Sequence, residues 1–244
     1  MADPVCIFRH SADQGPGYLL EVLERAAIPY QVINADRDES LSMPLESVGG
    51  LVFMGGSFDV HDEAQWIGRE LDLVRAAAQA GIPLLGHNQG AELITWALGG
   101  MVVRSRVKRI GWFPVQRQHN PAAEQWLDDV PEDVEVFHWH EHAFSLPPGA
   151  TPLLKSQWCL NEAYLCGKAL AIQGHFEMTE ELIRKRIAAG TGQDISPPDN
   201  LTLNWDAIIQ SGEKICADLP QKIAALHRAA DRLYERWLQF VTAA

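Results

Sequence analysis

The segment from Ile82 to Gly100, IPLLGHNQGAELITWALGG, constrains this chain more than any other. A short apolar strand runs into a turn bracketed by Gly86 and Gly90, and a helix follows at once. Such a unit pushes one side chain out at the carboxyl end of a sheet, where open α/β folds bind their ligands. Its following backbone N–H groups point outward from a helix N-terminus. The two glycines permit close backbone approach. It is the mounting that carries a nucleophile in many hydrolases, yet its tip is Asn88, which attacks nothing. Asparagine tolerates positive φ better than most residues and can hold a strained turn without supplying chemistry. Taken alone, the stretch fits an ordinary strand-to-helix loop equally well.

The same alternation recurs along the chain. PVCIF reads as a strand, and GPGYLLEVLERAAIPY as a helix with Leu19, Leu20, Leu23 and Ala27 at helical spacing. YQVINA and VGGLVFMGG read as further strands. DEAQWIGRELDLVRAAAQAG is amphipathic, with Trp66, Ile67, Leu71, Val74 and Ala78 on one face and Gly81 as C-cap. The expected fold is α/β: a doubly wound, mainly parallel sheet with helices on both faces. Between Met101 and Ile172, the runs GWFPV, VEVFHWH and ALAIQG are expected to add antiparallel strands at one edge. Residues 191–206, rich in proline and polar groups, break the pattern. Beyond them Ile223, Leu226, Ala230, Leu233, Trp237 and Val241 mark one face of a long helix. The organisation is therefore a domain over 1–190 and a helical C-terminal extension over 191–244. The extension either packs on the domain, the simpler reading, or lies at a subunit interface.

Charge narrows the partners. The 244 residues carry a formal net charge of −12, with a pI near 5.1. Nucleic acid and anionic membranes are repelled by such a surface. No apolar run reaches the ~18 residues of a membrane span, and MADPVCIFRHSADQ lacks the apolar core of a signal peptide. Cys6, Cys159, Cys166 and Cys216 are scattered, as expected of reduced thiols in a cytoplasmic protein.

Three further stretches bear chemistry. In AIQGHFE, His175 and Glu177 lie two apart and share a face when extended. A carboxylate beside an imidazole fixes its tautomer, which is how a general base is oriented. Taken alone, this spacing is better explained by a surface ion pair. Gly55 and Gly56 in FMGGSFD can present backbone N–H groups to an anion, or form a plain turn. In FHWHEH, an extended chain puts His138, His140 and His142 on one face, as metal ligands or as a polar strand end.

Together, in this order and register, these stretches resemble the class I glutamine amidotransferase family. Its glycine pair at a strand end is similar to Gly55-Gly56. Its G-[IV]-C-x-G-x-Q before LLAxALGG resembles Gly86 to Gly100. Its G-x-Q-x-H-P-E resembles the run holding Gln173, His175 and Glu177. The family's W-H-x-D before LPPGA is similar to FHWHEHAFSLPPGA, and its N-Q-A-F to NEAY at 161–164. The likeness covers about residues 5–190, and FRHSADQGPGYL resembles the stand-alone, GMP-synthetase-like subgroup. It implies hydrolysis of the glutamine side-chain amide to glutamate and ammonia, without cofactor or metal. A cysteine would attack, His175 oriented by Glu177 would move the proton, and N–H groups of Gln89 and the Gly55-Gly56 turn would hold the oxyanion.

The departures cluster. The nucleophile position holds Asn88, the family's substrate-binding glutamine is Glu92, its aspartate near the α-amino group is His142, and its proline is Phe176. His140 fills the W-H position of the substrate side. Several changes around one pocket point to divergence rather than a single knockout. Glutaminase activity is expected to be lost as written. The alternatives are a ligand-binding or partner protein, and a hydrolase of another γ-glutamyl substrate using His175 and Glu177. The implied partners are a small amide such as glutamine or a γ-glutamyl compound, a separate synthetase or acceptor subunit, or a second copy of the chain.

Overall fold

A computed structural model describes residues 3–190 and 208–243 of the chain; the proline-rich break expected at 191–206 lies outside the described residues. Alternating burial builds the first layer. In β1 (Val5–Arg9), Val5 and Ile7 enter one apolar cluster while Cys6 and Phe8 enter the other. A strand with two buried faces requires a cover on each. One cover holds α1 (Tyr18–Arg25), and the other holds α2 (Gln65–Gln79) and α3 (Gln89–Ala97).

Among the described residues, nine strands form one sheet in the order β2-β1-β3-β4-β9-β8-β7-β5-β6. The parallel half comprises β2 (Tyr30–Asn34), β1, β3 (Gly50–Phe53), β4 (Leu84–His87) and β9 (Ala169–Ile172). The antiparallel part comprises β8 (Ala163–Cys166), β7 (Thr151–Lys155), β5 (Val102–Arg117) and β6 (Asp133–Phe144). GWFPV and VEVFHWH thus lie at one edge in antiparallel strands, as expected. ALAIQG does not. Its strand β9 pairs parallel with β4 in the middle of the sheet. Ala169 and Ala171 face the α3 side and Leu170 and Ile172 the other, so both faces are covered. An unbroken apolar run is what such a strand needs.

Two smaller differences concern helix ends. Ala27 lies past α1, exposed and left-handed at φ 53°, and Ile28 takes the buried place instead. The buried face of α2 is Ile67, Glu70, Val74 and Ala77, with Leu71 and Ala78 only partly covered. Gly81, one residue past the cap Ala80, is left-handed at φ 72°, where glycine is cheapest.

The chain then continues through α4 (Pro121–Trp126), α5 (Glu180–Ala188) and α6 (Gly212–Cys216) to α7 (Leu219–Thr242). All six apolar residues expected on one face of the last helix are buried within this chain. Trp237 is fully buried, donates its indole N–H to the Leu84 carbonyl at 2.9 Å, and lies against Gly50, where any Cβ would meet its ring at 3.1 Å. The helix therefore forms part of the cover on the α1 side. Trp237→Ala is expected to cost about 3–5 kcal/mol, the range for emptying a buried aromatic site. Urea denaturation measures it. A loss below about 1 kcal/mol would mean that α7 contributes little to the core.

Candidate active site

The elbow is formed as the alternation requires. Asn88 sits between β4 and α3 at φ 52°, ψ −118°, and Gly86 and Gly90 press the surrounding backbone together. A Cβ on Gly90 would lie 1.9 Å from the Phe53 carbonyl oxygen, and one on Gly86 2.7 Å from Ala91 N. Neither position accepts a side chain. The Asn88 N–H donates to the Ile172 carbonyl at 2.9 Å, tying the turn to β9.

His175 follows β9 and is fixed by its own N–H, which donates to the Phe137 carbonyl of β6 at 2.8 Å. Its Nδ1 lies 2.7 Å from Glu177 Oε1, and its Nε2 lies 2.5 Å from Asn88 Nδ2. Asn88 Nδ2 also donates to the Trp139 carbonyl at 3.2 Å. Because that carbonyl only accepts, the amide nitrogen is placed there, and His175 Nε2 must be a bare acceptor. The ring proton then sits on Nδ1, donated to Glu177. Asn88, His175 and Glu177 are buried, at 0%, 0% and 2% exposure.

Glu177 has a second neighbour. Its Oε2 lies 3.3 Å from Nδ1 of His87, whose Nε2 is 3.1 Å from the Tyr234 hydroxyl of α7. Burial would push the Glu177 carboxyl up, but His175 and His87 beside it outweigh burial and hold it below the ordinary range. Burial pushes the His87 pKa down, which favours the neutral ring, while Glu177 beside it pulls the other way.

The glycine turn lies against the elbow. A Cβ on Gly55 would meet Gln14 Oε1 at 2.4 Å and Asn88 Cβ at 3.3 Å. Gly56 N–H is already engaged by Gln89 Oε1 at 3.1 Å, so the Gln89 side chain covers one of the expected oxyanion donors. Behind the turn stands His10, bonded to the Met54 carbonyl and to Glu70 Oε2, each at 2.8 Å.

A cleft of about 340 Å³ opens beside this group, lined among others by Gln14, Gly56, Asp59, Gln89, Lys108, His140, His142 and Arg186. His142 Nδ1 lies 3.4 Å from Glu92 Oε2, and its Nε2 3.4 Å from Asp59 Oδ2. Glu92 is fully buried and accepts from Gln173 Nε2 at 2.9 Å. Hydrogen bonding to Glu92 raises the His142 pKa above its ordinary value.

A family model described as glutamine amidotransferase class-I matches residues 16–190. This chain belongs to the class I glutamine amidotransferase family. A solved glutamine amido transferase from Methylobacillus flagellatus is 33% identical, with a TM-score of 0.91 over 98% of this chain and 96% of that one. A glutamine amidotransferase from Thermotoga maritima superposes with a TM-score of 0.84 at 22% identity, covering 98% and 99%. Gamma-glutamyl peptidase 4 of Arabidopsis thaliana is 27% identical over 154 residues, 60% of this chain and 61% of that relative.

Within this amidotransferase fold, the residues singled out from sequence separate into three groups. Asn88, His175, Glu177, Gly55, Gly56 and Gln89 converge at the elbow. His140 and His142 line the cleft, whereas Glu92 lies behind His142 and does not. The expected face of three histidines divides. His138 Nδ1 and His140 Nε2 meet at 3.1 Å with Glu162 close by, while His142 turns to Glu92 and Asp59. Arg109 donates to Glu162 Oε1 at 2.5 Å, so a divalent ion among these groups would meet a buried cation. Phe176, at the proline position, is 2% exposed and joins the core. Sequence reading missed His87, although it adjoins Asn88, because a strand-end histidine reads as ordinary polar termination. It missed Asp59 and Tyr234 because nothing local marks their partners. No helix among the described residues is long and apolar enough to cross a membrane.

The His142 ion pair makes a pH prediction. Its folded pKa is raised from an ordinary 6.5, so its contribution is complete below 6.5 and is lost as pH rises through the folded value. The stability advantage of the unsubstituted protein over His142→Asn is expected to shrink between about pH 6 and about pH 9. Denaturant titrations at both pH values would count against the pairing if the gap stayed constant or widened.

Proposed function

We propose that this chain holds a γ-glutamyl amide ligand in the cleft and, as written, does not cleave it. The observation that carries the reading is Asn88 Nδ2 at 2.5 Å from His175 Nε2. The elbow is formed and His175 is paired with Glu177, and in this reading the position that would attack is a carboxamide. No thioester can form on it. Relatives named glutamine amido transferase and gamma-glutamyl peptidase support a glutamyl side-chain amide as the ligand class.

A cysteine in place of Asn88 would stand at the start of α3, within reach of His175. Helix N-terminus and imidazole both favour its thiolate. His175 Nε2 would take the thiol proton and the sulfur would attack the amide carbon. The proton would leave with the amine, and water would then release glutamate from the thioester.

A hydrolase that activates water directly with His175 is the second reading. It is weaker for a stated reason. His175 Nε2 already accepts from Asn88, and both side chains are fully buried. Water would have to displace that hydrogen bond before any proton moved.

Two measurements test the proposal. Ammonia or amine release from glutamine and γ-glutamyl dipeptides is expected to be absent in the chain as written. It should appear with Asn88→Cys and vanish again with added His175→Ala. Glu92→Gln alone strips His142 of its buried partner. Greater gain on glutamine is therefore expected from Asn88→Cys with both Glu92→Gln and His142→Asp, which restores the family pattern. Turnover by the Asn88 protein that survives His175→Ala would defeat the mechanism. Separately, a γ-glutamyl ligand at ~100 times its Kd should stabilise the Asn88 protein by about 2.7 kcal/mol in thermal melts. No shift with any γ-glutamyl compound would exclude the binding reading.

A further inference from the structure

We propose that the C-terminal helix is a working part of the active site: Tyr234, acting through His87, fixes the protons around Glu177 and so keeps the Nε2 lone pair of His175 aimed at residue 88. Both are positioning residues, since neither touches the reacting atoms.

The basis is an unbroken line of polar contacts through an apolar interior. It runs from the Tyr234 hydroxyl to His87 Nε2 at 3.1 Å, from His87 Nδ1 to Glu177 Oε2 at 3.3 Å, from Glu177 Oε1 to His175 Nδ1 at 2.7 Å, and from His175 Nε2 to Asn88 at 2.5 Å. Tyr234, His87 and His175 are fully buried and Glu177 is 2% exposed, so water does not compete for these groups.

Donor and acceptor counting then fixes each proton. At one end Asn88 can only donate from Nδ2, which leaves His175 Nε2 bare and its proton on Nδ1. At the other end there are two choices. If Tyr234 accepts, His87 carries its proton on Nε2 and turns a bare Nδ1 toward a carboxylate oxygen. Two lone pairs would then face each other in a buried site. If Tyr234 donates, His87 Nδ1–H faces Glu177 Oε2 and also has the Gly174 carbonyl nearby. Glu177 then has His175 hydrogen-bonded to Oε1 and a ring N–H of His87 3.3 Å from Oε2, a close polar contact that favours its present orientation. The phenol suits this part, because burial keeps it protonated.

The same helix supports the segment from a second side. His227 Nε2 is 2.8 Å from the Met178 carbonyl, and its ring stacks on Tyr18 with centroids 3.6 Å apart. Tyr18 N–H in turn donates to the Glu177 carbonyl at 2.9 Å. The extension that the family's sequence pattern leaves unexplained therefore reaches Glu177 by both side chain and backbone.

The inference rests on the reading of His175 as the base, and the test separates the two. Imidazole ¹⁵N NMR of the Asn88 protein needs no activity. The expected result is His87 and His175 both as Nδ1–H tautomers. In Tyr234→Phe the His87 signal should move toward a tautomer mixture and the His175 Nδ1–H resonance should shift. His87→Gln, which keeps an N–H for Glu177, should hold His175 closer to its original signal than His87→Leu does. In an active Asn88→Cys background, Tyr234→Phe should lower kcat about tenfold with KM unchanged, part of the roughly 100- to 10,000-fold that a positioned base supplies. If Asn88→Cys is inert, the functional reading fails while the NMR result still decides the relay. The relay is overturned if His87 is an Nε2–H tautomer in the unsubstituted protein. It is equally overturned if Tyr234→Phe lowers only the melting temperature and leaves both rings unchanged.

Discussion

A single strained turn organises this molecule. Asn88 holds φ 52° and ψ −118°, a conformation that costs on the order of 1–3 kcal/mol and persists only where the surroundings over-determine it. Here they do. Gly90 rests on the end of β3 and Gly86 on the first turn of α3, so the elbow is squeezed between neighbouring backbone segments. The Asn88 N–H is taken by β9 and its side chain by β6 and His175. The parallel neighbours β4 and β9 meet at this residue through their order in the sheet, and β6 is brought there by the bridge between Phe137 and His175.

The changes around the cleft are physically coupled. A glutamate at position 92 would be an uncompensated buried charge if nothing else had changed, a costly arrangement. His142 Nδ1 stands 3.4 Å from one Glu92 oxygen, and Gln173 donates to the other. Seen as a sequence, Glu92 and His142 are two separate losses of family residues. Seen in space, they form one ion pair that turns Glu92 away from the cleft and presents an imidazole to it. An imidazole thereby lines the cleft where the family pattern has a carboxylate, at 3.4 Å from the buried Glu92.

Legibility in the sequence followed the range of the interactions. Strands β1 to β4 and the elbow were readable because alternation, glycine placement and helical spacing are local patterns. The place of β9 was not, because an apolar run of four residues looks the same at an edge and at a centre. Its parallel pairing is set by the crossover from β4 through the whole antiparallel part. The spacing of two put His175 and Glu177 on one face but read more simply as a surface ion pair; only the family resemblance placed them at the elbow. His87, Tyr234 and Asp59 were not readable, since each acts across a tertiary contact: Tyr234 reaches His87 from 147 positions away. The buried face of α2 was misplaced for a similar reason. Glu70 is buried because His10 receives it, and no hydrophobic pattern encodes that.

The chemistry of asparagine at the elbow explains how the polar groups around it are partnered. Alanine at position 88 would leave His175 Nε2 and the Trp139 carbonyl both facing a gap, buried and without the partner Asn88 now provides. Each such group costs about 1–3 kcal/mol. A carboxamide nitrogen donates two hydrogen bonds, and Asn88 gives one to each of these acceptors. Serine could serve only one of them. Aspartate would set a second carboxylate beside Glu177 and supply no donor when ionised. Among small polar residues, asparagine combines tolerance of positive φ with the donor count this particular gap requires. The arrangement keeps the proton of His175 on Nδ1 and its base-side lone pair capped, which is the same ring orientation that a nucleophile would need. Asparagine therefore holds His175 in one orientation at the elbow through a hydrogen bond of its own.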